Sequence, residues 1–341
     1  MSPVLRFALP SALGALLFLT PVPFAGGQQI GVGVIANGLR AGVGEAMPFL
    51  INGLFLASAT LSCIATFFQP DWLVKQGVLH RVFITTAPWL TLRVLAGVLS
   101  TLVAWQLGPD WIIGADTGQV AYVELAGLIF CIMLVANFLL PLLTDFGFLD
   151  FVGTLLTRAF DRAFRLPGRA ALDAVTSWVG DSSVGALLTI RQYEAGHYTA
   201  REAAAVVTNF SAVSLPFCVV IVQLAKLDDL FFTFYLTTIV CGVVCALVTP
   251  RLPPLSRIGN TRFAGFDGEA PAMEAAPAPT AAPVDEPEGV FARAWSRALA
   301  AAVRGPTPGQ IVRHAGHTIL DIYVAVLPAA MTIEFLALVI V

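Results

Sequence analysis

The sequence predicts an all-α integral membrane protein, and three observations support this fold class. Of the 341 residues, 57% are hydrophobic and only 12% are charged. Soluble domains carry about 25% charged and about 45–50% apolar residues, so a soluble core has no place for the surplus. The apolar residues also form continuous stretches of about 20 residues, the length of a membrane-crossing helix. These stretches lack the alternation of polar and apolar residues that marks a transmembrane β-strand.

Seven stretches have the length of a membrane span. The first follows Arg6, as a signal peptide would, but Pro10, Pro21 and Pro23 and the lack of an Ala-x-Ala site favour a retained helix. About seven spanning helices are therefore expected, over 5–24, 46–68, 83–106, 120–146, 202–226, 231–250 and 318–341.

The positive charges predict the orientation of these helices. With the N-terminus in the cytoplasm, sixteen of the 19 Lys and Arg residues lie on the inner side, and two, Arg40 and Lys226, lie outside. Cytoplasmic loops of membrane proteins carry such an excess of positive charge. Arg outnumbers Lys 17 to 2, which is typical of GC-rich bacterial genomes. We expect a multi-pass protein of the bacterial cytoplasmic (inner) membrane with its N-terminus inside.

The segment near 171–196 predicts a re-entrant helical hairpin. Two apolar pieces of about ten residues flank Gly180, Asp181, Ser182 and Ser183. Ten helical residues rise about 15 Å, which is half of the bilayer core. We therefore expect the chain to enter from the cytoplasm, to turn at these four residues near mid-membrane and to return.

The tip of this hairpin is the predicted substrate-binding site. The oxygens of Asp181, Ser182 and Ser183 suit a cation or a hydrogen-bonded polar solute. A carboxylate already placed at the positive end of a helix makes a second anion less favourable. The alternative is that these residues, which follow Gly180, only cap the second half of the hairpin.

The next helix is predicted to line the same cavity. Asn209, Ser211 and Ser214 cannot all face lipid, and Pro216 within a helix would free the carbonyl of an earlier residue. The alternative is that the Ser and Asn side chains serve helix packing alone.

Two further segments have the pattern of amphipathic helices at the inner surface. Each carries arginines on one side and aromatic residues on the other, which favours contact with membrane lipids or the anchoring of a loop. They are 156–169, with Arg158, Arg162, Arg165 and Arg169, and 290–304, with Phe291 and Trp295.

A cytoplasmic linker is predicted over 251–315. Its stretch 259–289 is rich in Ala, Pro and acidic residues, and such a composition cannot bury enough apolar area to offset the entropy of ordering. We expect 259–289 to be disordered.

The sequence lacks the motifs of several kinds of enzyme and of ATP-driven transporters. No Gly-x-Ser-x-Gly, His-Glu-x-x-His or Walker motif occurs, so neither an enzyme nor ATP-driven transport is expected. The five cysteines lie inside apolar stretches, which argues against disulfides. No cofactor, bound metal or nucleic-acid partner is expected. Ionisable residues near apolar helices remain functional hypotheses: Glu45, Glu124 and Glu334.

Two segments resemble the YjiH-like bacterial membrane proteins that contain a nucleoside-recognition, or Gate, domain. The first is Leu-Pro-Ser-Ala-Leu-Gly-Ala-Leu-Leu-Phe-Leu-Thr-Pro at 9–21. The second is Val-Gly-Asp-Ser-Ser-Val-Gly at 179–185, which continues through 193–204 to Phe-Ser-Ala-Val-Ser at 210–214. The tip departs from the family pattern, since relatives tend to have a small residue and then an aromatic one at Asp181 and Ser182.

The resemblance implies hairpin-plus-helix repeats around a solute or ion site, with Asp181, Ser182 and Ser183 beside Asn209 and Ser211. It implies a secondary transporter or permease subunit for a small polar solute or ion, nucleoside-like by analogy only. The alternative is a non-transporting scaffold or accessory subunit that acts with a second Gate-domain membrane protein. The expected organisation is an N-terminal transmembrane region at 1–119, a Gate-like repeat at 120–250, the linker, and at 316–341 a second repeat cut short where the chain stops.

Overall fold

The computed structural model describes residues 2–24, 27–68, 77–180, 182–210, 214–263 and 289–340. Two predicted site residues, Asp181 and Ser211, lie outside these ranges, and so does 264–288, most of the stretch expected to be disordered.

The described chain is largely α-helical, with one short β-hairpin. Strands β1 (Pro21–Phe24) and β2 (Gly27–Ile30) pair antiparallel, with Pro21 opposite Ile30. In chain order the main helices are α1 (Pro3–Leu19), α2 (Gly31–Val43), α3 (Met47–Phe68), α4 (Gly77–Phe83), α5 (Ala87–Ala104), α6 (Ala126–Leu139), α7 (Phe148–Ala159), α8 (Ala170–Val179), α9 (Ser182–Glu194), α10 (Ala200–Phe210), α11 (Leu215–Leu224), α12 (Phe231–Val248), α13 (Val290–Arg304), α14 (Pro308–Leu320) and α15 (Leu327–Ile340).

The expected all-α membrane fold is confirmed. Within the described residues, six helical stretches are long and apolar enough to cross a bilayer, and α1 is a shorter apolar helix of 17 residues. Such a set of helices makes the chain a multi-pass membrane protein. The six stretches are Gly31–Phe68, Ala87–Ala104, Val120–Thr144, Ala200–Leu224, Asp228–Arg251 and Pro308–Ile340.

The helix bounds differ from expectation near the N-terminus. The span expected at 5–24 ends early, because α1 stops at Leu19 and the Pro-rich residues after it form β1. The glycine-rich stretch at 31–43 forms α2, although glycine weakens a helix in isolation. Close packing explains one of these glycines, since a Cβ on Gly31 would lie 3.1 Å from the Cα of Leu17.

The chain divides into two compact units. Unit 1 contains Met1–Gly31 and Leu139–Pro306, and unit 2 contains Val32–Phe138 and Thr307–Val341.

Unit 2 is built around α3, α5 and α15. The Ser58 hydroxyl donates to the carbonyl of Val324 at 2.6 Å, and the Thr332 hydroxyl lies 3.1 Å from the carbonyl of Leu92. Arg93 is buried and donates through Nη1 to Ser62 Oγ at 2.8 Å and to the carbonyl of Val82 at 2.9 Å. These bonds satisfy polar groups inside an otherwise apolar unit.

Unit 1 contains the predicted hairpin and the amphipathic helix α13. The bounds of α13 coincide with the expected 290–304, and it buries Ala294, Ala298 and Ala302. These small residues let α7 approach closely. A Cβ on Gly147, which precedes α7 and has φ +98°, would lie 3.0 Å from the carbonyl carbon of Ala298 and overlap its oxygen.

We therefore predict that Gly147→Ala destabilises the protein. The new methyl group would meet backbone, and the φ angle favours glycine, so a loss of about 1–3 kcal/mol is expected. Thermal unfolding of the detergent-purified protein measures this. Gly289→Ala is the matched control, because a Cβ there meets nothing within 4 Å. Equal unfolding midpoints for the two variants would contradict the close approach.

Candidate functional site

The predicted hairpin consists of two short antiparallel helices, α8 and α9. Thr189 pairs with Asp173 near the base of the hairpin, and Gly185 lies against Ser177 nearer the tip. The helices have 10 and 13 residues, which is about 15 and 20 Å of rise. Neither length crosses a hydrocarbon core of about 30 Å.

The arms approach closely because the residues between them are small. A Cβ on Gly185 would lie 2.8 Å from the Cβ and 3.1 Å from the Cα of Ser177, and would overlap its Oγ. On the other side of α8, a Cβ on Gly153 of α7 would lie 3.1 Å from the Cα of Leu172. The hairpin is thus packed tightly on both sides of α8.

A buried carboxyl group ties the base of the hairpin together. Oδ2 of Asp173 accepts hydrogen bonds from the Tyr198 hydroxyl at 2.8 Å and from the Thr189 hydroxyl at 3.0 Å. These three residues belong to α8, to the turn before α10 and to α9. Their bonds connect the two arms with the segment that leads to the next helix.

The following stretch, 200–224, is interrupted near its middle. Helix α10 ends at Phe210 and α11 begins at Leu215, and Ser214 before it is extended, with φ −86° and ψ 158°. Pro216 lies in the first turn of α11, where no backbone N–H is needed. The expectation that Pro216 frees a carbonyl within a continuous helix is therefore wrong, since the helix is already broken before it.

The ends of α8 and α10 meet at a cavity of about 170 Å³. The rings of Trp178 and Phe210, near these two ends, lie 5.4 Å apart. Helix α12 forms the rest of the wall. The described residues that line the cavity are Trp178, Thr208, Asn209, Tyr235, Thr238, Ile239, Cys241, Gly242 and Cys245.

Hydrogen bonds fix the polar groups of this wall. Asn209 is 5% exposed, and its Nδ2 donates to the carbonyl of Ala205 at 2.7 Å and to Thr208 Oγ1 at 3.2 Å. Its Oδ1 accepts from the Thr249 hydroxyl at 2.6 Å. Both amide hydrogens are thus engaged, whereas the amide oxygen keeps a second lone pair for a ligand.

Helix ends contribute to the electrostatics of the cavity. The last carbonyls of a helix have no partner within that helix, and the C-terminal end carries a partial negative charge. The C-terminal end of α8 lies here, beside the last described turn of α10. One carbonyl is engaged, because the Tyr235 hydroxyl donates to the carbonyl of Trp178 at 3.1 Å. The described lining residues carry no charged side chain.

The structure places the predicted site residues at these two chain breaks. Gly180 is buried and ends α8, and its N–H donates to the carbonyl of Thr176 at 2.9 Å. Ser182 and Ser183 begin α9, the side chain of Ser183 lying outside the described part. Ser214 precedes α11, and Asn209 is the one described side chain of the predicted set that lines the cavity. Asp181 and Ser211 lie outside the described residues.

Three residues of this region were not predicted from the sequence, namely Trp178, Tyr235 and Asp173. Trp178 and Tyr235 stand in apolar stretches, where nothing in the pattern distinguishes them from packing residues. Asp173 carried a usable signal, because an ionisable residue inside a short apolar helix is a functional hypothesis by default.

Among the described residues, no group of three or more His, Cys, Asp or Glu side chains could hold a metal ion.

Fold and site together define a multi-pass α-helical membrane protein of transporter-like construction. The sequence profile of the nucleoside-recognition (Gate) family matches residues 127–227, which include the hairpin, α10 and α11. An uncharacterised protein of Alkalihalophilus pseudofirmus is 36% identical over 338 residues, which are 98% of this chain and 70% of that protein. No solved structure matches the chain. The chain belongs to the family of membrane proteins with a nucleoside-recognition (Gate) domain.

We predict that Tyr235→Phe destabilises the hairpin end. The variant leaves the Trp178 carbonyl without its donor, which costs about 1 kcal/mol or more when the group is buried. The unfolding midpoint of the purified protein measures the loss. Tyr193→Phe is the control, because the Tyr193 hydroxyl has no hydrogen-bond partner among the described residues. If both variants unfold at the wild-type temperature, Tyr235 does not hold the end of α8.

Proposed function

We propose that the protein is a secondary transporter or permease subunit that moves a small cation or a small polar solute past the cavity at the ends of α8 and α10. The observation that carries this proposal is the meeting of two broken helices at one cavity. Discontinuous helices whose ends converge are the arrangement by which transporters bind substrates and coupling ions.

The C-terminal end of α8 lies at the cavity, and this supports a cation. In transporters of known mechanism, half-helix C-terminal ends and unwound carbonyls coordinate coupling cations, whereas N-terminal ends face anionic groups. Asn209 Oδ1 and the oxygens of Thr208 and Thr238 add hard acceptors of the kind that such cations prefer. The predicted tip residues Asp181, Ser182 and Ser183 would add further oxygens from the start of α9.

The size of the cavity supports a small ligand. Pockets that enclose drug-sized molecules have volumes of about 300–1,000 Å³. A volume of about 170 Å³ is well below this range, so it favours an ion or a small solute over a nucleoside. By this volume the cavity is too small to enclose the nucleoside to which the family's name refers.

The proposal places the chain in the bacterial cytoplasmic membrane with its N-terminus inside. The distribution of Lys and Arg supports this orientation. We also propose the finer family assignment, namely that the chain is one of the YjiH-like proteins that it resembles. Anionic lipids are proposed partners of the exposed side chains of Arg158, Arg162 and Arg165.

Uptake into liposomes tests the proposal. The purified full chain is reconstituted, and the entry of radiolabelled sodium, of rubidium as a potassium tracer and of tritiated uridine is compared with that in empty vesicles. We expect uptake of a cation, and we expect Gly242→Leu, which fills the cavity, to lower it about tenfold, equivalent to roughly 1.4 kcal/mol.

Gly53→Leu is the matched control, because Gly53 also lies in a membrane helix and a Cβ there meets nothing within 4 Å. It should retain wild-type uptake. Equal uptake by both leucine variants would show that the transported substrate does not pass through the cavity. Absence of uptake, together with co-purification of a second Gate-domain protein, would favour the accessory-subunit function instead.

A further inference from the structure

Asp173 is a buried acidic residue that is not among the described residues lining the proposed transport cavity. It lies in the first turn of α8, outside the six candidate spans, and is 1% exposed. Tyr198 and Thr189 donate to Oδ2, whereas Oδ1 is buried and has no hydrogen-bond partner among the described residues. A buried ionised carboxylate with an unsatisfied oxygen is strongly unfavourable.

The charges around Asp173 do not neutralise it by contact. Arg169, one turn earlier, is the described charge that acts on it, but its Nη1 donates to Gln192 Oε1 at 3.1 Å. His197 lies beside Tyr198, and burial lowers its pKa, with Arg169 and Arg262 adding to the effect. Other titratable or charged side chains on the elements packed against α8, or at their ends, are Asp145, Asp150, Arg158, Arg191, Tyr193, Glu194, Arg201, Glu202 and Cys218.

Burial raises the pKa of Asp173 to about 6, although the hydroxyls of Tyr198 and Thr189 and the charge of Arg169 oppose the rise. An aspartate in an unfolded chain has a pKa of about 3.9. Because the folded value is raised, the stabilising contribution of Asp173 is fully present below about pH 3.9 and is lost as the pH rises through about 6. Folding therefore raises the affinity of Asp173 for a proton relative to the unfolded chain.

We propose that Asp173 is a proton-binding site of the hairpin and that the proton is the coupling ion of the transport function. The coupling rests on the proposed function, whereas the binding of the proton does not. Binding forms one O–H bond at Asp173 with a proton from the aqueous phase, and release breaks it. No redox change accompanies either step.

The surroundings of Asp173 suit a proton better than a metal cation. Magnesium and calcium ions require about six to eight oxygen ligands. The neighbours of Asp173 along α8 include the fully buried Ala170, Ala171 and Ala174, and the two hydroxyl groups direct their hydrogens at Oδ2. A proton needs only Oδ1, which has no hydrogen-bond partner among the described residues.

Protonation has a direct structural consequence, because Asp173 joins three segments. When it ionises, its buried charge is relieved if α8, α9 and the turn at Tyr198 separate and admit water. Opening of the hairpin base is therefore linked to release of the proton, which is the link that proton-coupled transport needs.

Hydrogen–deuterium exchange of the full chain in lipid nanodiscs tests the binding of the proton. Peptides from α8 and α9 are compared between wild type and Asp173→Asn at about pH 5 and about pH 8. Comparison at the same pH cancels the intrinsic pH dependence of exchange. We expect equal rates at the lower pH and about tenfold faster wild-type exchange at the higher pH, because only the wild type then carries the buried charge.

An equal ratio of rates at both pH values would overturn the proposal. Tyr198→Phe gives a second test that stands if Asp173→Asn does not fold. It removes a donor that favours the ionised acid, so the pH at which wild-type exchange accelerates should move upward. Tyr193→Phe should leave that pH unchanged, as should Glu194→Gln on the exposed end of α9. An unmoved transition in Tyr198→Phe would also overturn the proposal.

Liposomes with an imposed proton gradient test the coupling separately. We expect the gradient to drive uptake of the cation by wild type, and we expect Asp173→Asn to show gradient-independent uptake. Wild-type uptake that ignores the gradient would overturn the coupling while leaving transport intact. If none of the probes enters the liposomes, the proposed transport function is wrong. The exchange experiment still decides whether Asp173 binds the proton.

Discussion

The close approach of α8 and α9 is the interaction on which the site depends. Two helices of 10 and 13 residues are each too short to span a bilayer, and we propose that the hairpin enters the membrane and turns at depth. Irregular backbone at that depth is tolerated only where protein or a wet cavity surrounds it. Gly185 against Ser177, and Gly153 against Leu172, bring the backbones of α7, α8 and α9 close together.

This packing determines the chemistry of the region. Because α8 stops at Val179, its C-terminal end lies beside the cavity that the last described turn of α10 also lines, and the dipole of α8 favours positive charge there. Asp173 lies at the other end of α8, in its first turn. We therefore propose two sites for positive charge in this region, one of helix ends and neutral oxygens and one of a single buried carboxyl group.

The sequence was sufficient to predict the features that depend on length and composition. Apolar runs predicted the spanning helices, and two short runs around Gly180 predicted the hairpin, because helix rise and bilayer thickness are fixed quantities. The break before Leu215 was not predicted, since the apolar run through 200–224 is continuous and only Pro216 marks it. Trp178 and Tyr235 were missed because their role comes from contact between distant segments, which no local pattern encodes.

Thiol accessibility tests the re-entrant hairpin most directly. Single cysteines at Arg169 and His197, the two ends of the hairpin, are introduced after replacement of the five native cysteines. Each is treated with a membrane-impermeant reagent in right-side-out and inside-out vesicles. A re-entrant hairpin predicts that both positions react from the same, cytoplasmic side. Reaction of the two positions from opposite sides would show that this segment crosses the membrane and would contradict the account.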